Sequence, residues 1–291
     1  MNHLPDALHQ RLERESGFRI ENATPIHGGD IHQALRLDTS EGPLFLKWSQ
    51  HSHPSIFERE ASGLQRLHEA DHTAKIPNIR AWANPDETRA GYLLLDFLEN
   101  VPFHETGMEA LGRAIAQLHE NSCERFGLPE DNYIGTLVQS NRESDSWIRF
   151  FIEERVEPQL KHALDTGRLQ SADRTAWDKL ALKLDRLFPA LPPSLLHGDL
   201  WSGNVLCCRE GTPALIDPAV YYGNSEMEIA FTKLFGGFSD TFYQCYFSIR
   251  PKEPGFQERI PIYQLYPLLV HTNLFGGHYA QRVQQILSRF S

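Results

Sequence analysis

The sequence predicts an α+β chain in two unequal parts. The first is a small, mostly antiparallel sheet with one helix laid on it, and the second is larger and mostly helical. Three observations predict this. Short strand-like segments alternate with turn-like pieces over the first third, apolar residues recur at helical spacing from about residue 105, and the helical pattern breaks once, around 194–217. The parts are taken as 1–97 and 98–291. Their 291 residues, 41% hydrophobic and 23% charged, suit one large or two closely joined domains.

In order along the chain, FRIENATPI (18–26) reads as a strand and leads into the turn HGGD (27–30). IHQALRLDT (31–39), the turn SEGP (40–43) and LFLKW (44–48) read as a hairpin. A helix follows, with Pro54 at its first position and Ile56, Glu60, Leu64 and Leu67 at helical spacing. IRAWAN (79–84) and GYLLLDFL (91–98) are the last strands of the sheet. Met108, Leu111, Ile115 and Leu118 mark one amphipathic helix and WIRFFIEERVEPQL (147–160) another, with a loop-rich excursion over 121–145 between them. VLCC (205–208), the turn REGTP and ALID (214–217) form a second hairpin. The string LFGG, at 234–237 and 274–277, reads as two glycine-ended helices rather than a repeat.

Bulk properties exclude some partners. With 28 Lys and Arg against 38 Asp and Glu, net charge −10, the chain has no basic stripe to neutralise a nucleic-acid backbone. The N-terminal segment lacks an apolar signal core and no stretch approaches a membrane span, so no membrane partner and a cytoplasmic location are expected. Four cysteines without disulfide spacing agree with that location.

Chemistry concentrates in HGDLWSGN, residues 197–204. A carboxylate and a carboxamide on one short loop can do two jobs side by side: Asp199 can accept or orient the proton of an attacking hydroxyl, and Asn204 can bind a metal ion through its amide oxygen. Their spacing matches the catalytic loop of protein kinases, although a Gly-Asp turn with a capping Asn would look similar. The hairpin returns Asp217 beside this loop, where a second metal ligand belongs. Upstream, Lys47 interrupts an apolar strand and Glu60 on the next helix could pair with it against phosphates. Gly28 and Gly29 lie between two strands, where backbone N–H groups can approach phosphate. YLLLDFLEN (92–100) is apolar enough to wall an adenine, which makes Leu94, Asp96, Phe97 and Leu98 nucleotide-site candidates. Trp201 is a core anchor or a substrate platform, and Glu226 and Glu228 are first-turn helix acids with an orienting role near the acceptor open to them. HEADH (68–72) formally matches a zinc-protease signature, but the helix there is expected to end and no third ligand is evident.

HGDLWSGN, followed by LIDPAVYYGNSEMEIAFTKLFGGF (215–238), closely resembles the fructosamine kinase (ketosamine-3-kinase) family of the protein-kinase-like superfamily, alongside aminoglycoside and choline kinases. GGDIHQALRL, FEREASGLQRL, DSWIRFFIEERVEPQL and YQLYPLLVHTNLFGGHY extend the resemblance over nearly the whole chain. It implies a bilobal protein-kinase-like fold, with 1–97 the nucleotide-binding N-lobe and 98–291 the catalytic and substrate-binding C-lobe. It further implies ATP-dependent phosphorylation of a sugar hydroxyl, usually O3, on a small-molecule ketosamine or a glycated protein side chain, after which the adduct releases its amine. ATP and Mg²⁺, with Mn²⁺ as an alternative cation, would be the cofactors. Carried over by position, Asp199 is the base, Asn204 and Asp217 the metal ligands, Lys47 and Glu60 the phosphate clamp, and Trp201, Glu226, His271 and Asn273 candidates for the sugar pocket. Some family members carry a redox-responsive cysteine in the glycine loop; Asp30 stands there in this sequence, so that property is not carried across. A kinase of another small alcohol (an aminoglycoside, choline or a free sugar) and a nucleotide-binding pseudokinase regulator are the alternatives. The sequence leaves the oligomeric state open.

Overall fold

The computed structural model describes residues 4–26, 33–70 and 72–290. Helix α1 (Asp6–Ser16) was not expected, because its surface is charged and Pro5 precedes it. Leu4, Leu8 and Leu12 nevertheless repeat at intervals of four and bury one stripe against the sheet. Strands β1 (Ile20–Pro25), β2 (Gln33–Thr39) and β3 (Gly42–Ser49) follow. Helix α2 (Ile56–Glu69) starts after Ser55, so Pro54 stands just outside the helix rather than at its first position. Strands β4 (Ile79–Ala83) and β5 (Gly91–Asp96) complete a five-stranded sheet, order β1-β2-β3-β5-β4, with every neighbour antiparallel.

The two-residue period of β3 and β5 divides this sheet into two faces. Leu44, Leu46, Trp48 and Leu94 pack beneath α1, whereas Leu93 and Leu95 pack with Ile56, Phe57, Ala61 and Leu64 of α2. Lys47 sits directly opposite Leu93 and therefore shares the α2 face.

The remaining chain is mainly helical. Helix α3 (Glu105–Leu118) precedes a small hairpin, β6 (Asn132–Ile134) and β7 (Leu137–Gln139), inside the expected loop-rich excursion. Helix α4 (Trp147–Phe150) continues through a π-helical turn, Phe151–Val156, into α5 (Glu157–Asp165). After α6 (Ser171–Ala181) and α7 (Leu184–Leu187) come β8 (Ser194–Leu196), β9 (Val205–Cys207), β10 (Pro213–Leu215) and β11 (Tyr221–Gly223). They pair as two short antiparallel ribbons, β9 with β10 and β8 with β11. Helices α8 (Ser225–Phe235), α9 (Asp240–Ile249), α10 (Phe256–Tyr263), α11 (Leu265–Phe275) and α12 (His278–Phe290) close the chain. The two LFGG strings end α8 and α11, as the sequence predicts. Trp147, Phe151, Trp177 and Tyr263 lie in one continuous core that also holds Leu196, Leu200 and Leu215, so the segments bearing the HGD loop are bolted directly into the helical body.

Candidate active site

Lys47 comes to the site because the pleat of β3 turns it toward α2, and Glu60 because it lies on the facing stripe of that helix. The ammonium meets both carboxylate oxygens of Glu60, at 3.0 and 2.9 Å, and also contacts Asp217. The side chains of Lys47 and Glu60 are only 12% and 11% exposed. Burial alone would lower the Lys47 pKa, but the carboxylates of Asp217 and Glu60 outweigh it and hold the group above its ordinary value. Glu60 is raised by its burial; Lys47 pulls it back and Asp217 adds to the rise, since two carboxylates share one cation.

The HGD loop leaves the end of β8 and is held from beneath. The carboxylate of Glu228, on α8, accepts the N–H of His197 at 3.0 Å and of Gly198 at 2.7 Å. His119, the residue that caps the C-terminus of α3, lies 2.9 Å from the same carboxylate, and Tyr246 donates its hydroxyl to the other ring nitrogen at 2.8 Å. Glu228 is 2% exposed. Burial pushes its pKa up, but His119, His197 and the Gly198 N–H bring it below the usual carboxylate value. His197 is structural: Asp199 N–H donates to its Nδ1, which leaves Nε2–H to donate to Ile216 O at 2.9 Å. Burial lowers its pKa and favours this neutral form. Gly198 is required outright. Its φ is 85°, and a Cβ there would stand 1.9 Å from Ala219 O.

Asp199 projects from this support. Asn204 donates its amide nitrogen to Asp199 Oδ2 at 2.8 Å and to Asp199 O at 2.9 Å, so the amide oxygen is the atom left to meet a cation. Burial, reinforced by the Asp217 carboxylate, pushes Asp199 up to about 7. Asp217 follows the β9–β10 hairpin. It is placed by Ile216 N–H donating to Asn204 O (3.1 Å) and by Ala219 N–H donating to His197 O (2.9 Å). Its φ of 57° is left-handed, and its side chain is 45% exposed. Such a conformation costs about 1–3 kcal/mol in a residue with a Cβ, and the hydrogen bonds on either side hold it. Asp199, Asn204, Asp217, Lys47 and Glu60 thus converge from four segments of chain.

The donor set suits a hard divalent cation. Asn204 and Asp217 offer two oxygen ligands, and Mg²⁺ is characteristically held by one or two protein oxygens with phosphates and water completing its shell. Among the described residues no group of three or more His, Cys, Asp or Glu could hold a metal ion, which does not fit a zinc centre. HEADH is no zinc site either: α2 ends at Glu69, and His72 caps it through Leu67 O at 2.7 Å.

Other expected residues fall variously. Gly28 and Gly29 lie outside the described residues. Leu94 needs correction as an adenine wall, because its side chain is in the layer beneath α1, on the opposite face from Lys47. The Asp96 carboxylate is taken up by Asn78 at 2.7 Å and Arg80 at 2.5 Å. Phe97, under the Arg36 guanidinium at 4.9 Å, and the half-buried Leu98 continue the connection to α3. Trp201 and His271 do come together. Both rings pack on Phe235, at 6.4 and 4.7 Å between centroids, and Tyr279 closes on His271 at 5.1 Å. Glu226 and Asn273 do not join them. Glu226 turns to α10 and makes a bidentate pair with Arg259 at 2.5 and 2.7 Å. Asn273 is buried and ties α11 to Gln159 of α5. The direction of α8 decides between the two acids: two residues apart on a helix, Glu226 and Glu228 face different neighbours. Phe235 and Tyr279 escaped sequence reasoning, although Phe235 directly precedes one LFGG glycine pair and Tyr279 stands two residues after the other.

A buried lysine–glutamate ion pair on a five-stranded sheet, beside an Asp-bearing loop with Asn204 and Asp217 on a helical body, defines a phosphotransferase of the protein-kinase-like fold. The fructosamine kinase family model matches residues 4–291. A chain from Enterococcus faecium named "Probable ketoamine kinase" is 38% identical, covering 91% of this chain and 94% of its own length. The chloroplastic protein-ribulosamine 3-kinase of Arabidopsis thaliana is 34% identical over 96% of this chain and 85% of its own. A crystal structure bearing the fructosamine-3-kinase name, from Thermobifida fusca, superimposes with a TM-score of 0.87 at 29% identity, covering 98% of this chain and 99% of that one. An aminoglycoside phosphotransferase bound to AMP-PNP and hygromycin B shares the fold alone, with a TM-score of 0.67 at 17% identity over 97% of this chain and 98% of its own. This chain belongs to the fructosamine kinase family.

Proposed function

We propose that this chain uses ATP and Mg²⁺ to phosphorylate a sugar hydroxyl, O3, of a ketosamine, free or on a glycated protein, so that the product sheds its amine. The observation that carries this reading is the convergence of Lys47, Asp199, Asn204 and Asp217 from separate segments of chain. The family membership and the names of the relatives support the acceptor class. Residues 1–97 would serve the nucleotide and 98–291 the acceptor and the chemistry.

Phosphoryl transfer asks mainly for alignment and charge cancellation. Mg²⁺, when bound, supplies positive charge against the phosphates, and Asn204 and Asp217 are the residues that would hold it. Lys47 adds a second cation, kept in place by Glu60. Asp199 orients the attacking hydroxyl and takes its proton, and the aromatic group of Trp201, Phe235, His271 and Tyr279 offers a wall for the sugar. The Glu226–Arg259 pair and Asn273 would support the pocket from behind, not line it. Four cysteines, all unbridged, accord with a reducing cytoplasm, and among the described residues no helix is long and apolar enough to cross a membrane.

ADP release measured against a panel of ketosamines, aminoglycosides, choline and free sugars, with the phosphate located by NMR, tests the proposal. Stimulation by ketosamines with phosphate on O3 is expected. Stimulation by another alcohol alone would change the acceptor class, and ATP binding without turnover on any acceptor would make the chain a nucleotide-binding regulator.

A further inference from the structure

The excursion between α3 and α4 takes no part in the clamp or the loop, yet it touches the carriers of both. Its β6–β7 hairpin presents Asn132 and Gln139, 7% and 1% exposed, to the chain just beyond Asp217. Asn132 Nδ2 donates to Val220 O at 2.8 Å and Gln139 Nε2 to Ala219 O at 3.0 Å. Gly127 exchanges both backbone hydrogen bonds with Tyr222, at 2.8 and 3.1 Å. Gly127 is fixed as glycine by its own excursion: its φ is 104°, and a Cβ there would stand 2.4 Å from Asn141 O.

The two amides are themselves fixed. Asn132 Oδ1 accepts from Gln139 Nε2 at 2.8 Å and from Asn141 Nδ2 at 2.9 Å, and Gln139 Oε1 accepts from Tyr266 at 2.6 Å. Arg155, on the π-helical turn, donates to Asn141 Oδ1 at 2.7 Å and lies 3.8 Å over the Tyr221 ring. On its other side the excursion reaches α2, which carries Glu60: Tyr133 meets Ser55, just before the helix, at 2.7 Å, and Glu130, ahead of the hairpin, pairs with Arg59.

We propose that Gln139 and Asn132 are positioning residues for phosphoryl transfer, setting where Asp217 stands without touching a reactant. The proposal rests on the reading of Asp217 as a metal ligand. Asp217 lies in no helix or strand and holds a left-handed conformation, so its place is decided by anchors on either side. Upstream these are Asn204 and His197, bonded to Ile216; downstream they are His197 on Ala219 N–H and the two hairpin amides on Ala219 O and Val220 O. Removing a buried donor orphans a carbonyl at low dielectric, and the segment turns to satisfy it elsewhere.

The test is a Mg²⁺ titration of turnover in the full-length chain with a fructosamine as acceptor, for Gln139→Leu, Asn132→Asp and Asp217→Asn. Asn132→Asp keeps the size and the acceptor oxygen used by Gln139 and Asn141 but loses the donor to Val220 O. Half-saturating Mg²⁺ is expected to rise about fivefold or more in both hairpin variants, the scale of one buried hydrogen bond felt at the metal. The acceptor KM should stay within about twofold, because binding of the sugar is not what the hairpin sets. Near-UV circular dichroism identifies folded variants, and if Gln139→Leu does not fold, Asn132→Asp decides. An unchanged Mg²⁺ requirement in a folded hairpin variant, beside an impaired Asp217→Asn, overturns the role of the hairpin alone. A rise in acceptor KM as large as the rise in Mg²⁺ requirement overturns it too. Unchanged metal dependence in Asp217→Asn removes the metal-ligand reading and this inference with it.

Discussion

Glu228, on α8, receives the N–H groups of His197 and Gly198 at 3.0 and 2.7 Å, while His119 holds the same carboxylate from the C-terminal cap of α3. A buried charge supports the turn that carries Asp199, and the turn in turn satisfies the charge. Replacing the carboxylate breaks both. Glu228→Gln sets an amide N–H against one of these donors and should cost about 3 kcal/mol, read as a lower denaturation midpoint at unchanged m-value.

Asp199→Asn removes the proton acceptor and leaves the loop in place. Turnover should fall by about 10²–10⁴-fold while ATP affinity stays within about threefold. Near-normal turnover would exclude Asp199 as the base.

The same variant has a pH signature in stability. Asp199 in the folded state is raised to about 7, from an unfolded value near that of a free carboxylate, about 3.9. Between these limits the folded state binds more protons than the unfolded one, so the contribution of Asp199 to stability falls as pH rises and levels off above about 7. Asp199→Asn should therefore melt at a higher temperature than the parent at pH 8, with the difference closing toward pH 4. A difference independent of pH would contradict the raised pKa.

Lys47→Met leaves Glu60 and Asp217 facing each other without a cation. We expect kcat/KM for ATP to drop by about 10²-fold, with the acceptor KM little changed. Unaltered ATP kinetics would refute the clamp.

Gly198→Ala forces a Cβ against Ala219 O and a left-handed φ on alanine. Strain and displacement together should cost about 3 kcal/mol, measured by chemical denaturation.

Much of this site is legible in the sequence because its signals are local. Lys47 stands out as a charge in an apolar strand, Glu60 falls on the helical repeat that includes Ile56 and Leu64, and the spacing from Asp199 to Asn204 lies within one loop. The hairpin that returns Asp217 is written in its own turn residues. Helix α1 was missed because three leucines in a charged segment look like solvated surface until the sheet they cover is known. Leu94 was misassigned because an unbroken apolar run, LLL, does not reveal which residue faces which side; the pairing of Lys47 with Leu93 settles that.

By itself the sequence determined the order of elements and the residue types that reach the site, since strand period, helix period and turn chemistry act over a few neighbours. Only the tertiary structure decided which of two nearby acids supports the loop and which pairs with Arg259, and that the 121–145 excursion braces the segment after Asp217. Those outcomes depend on packing between elements far apart in the chain, where a helix rotation of a fraction of a turn exchanges one partner for another.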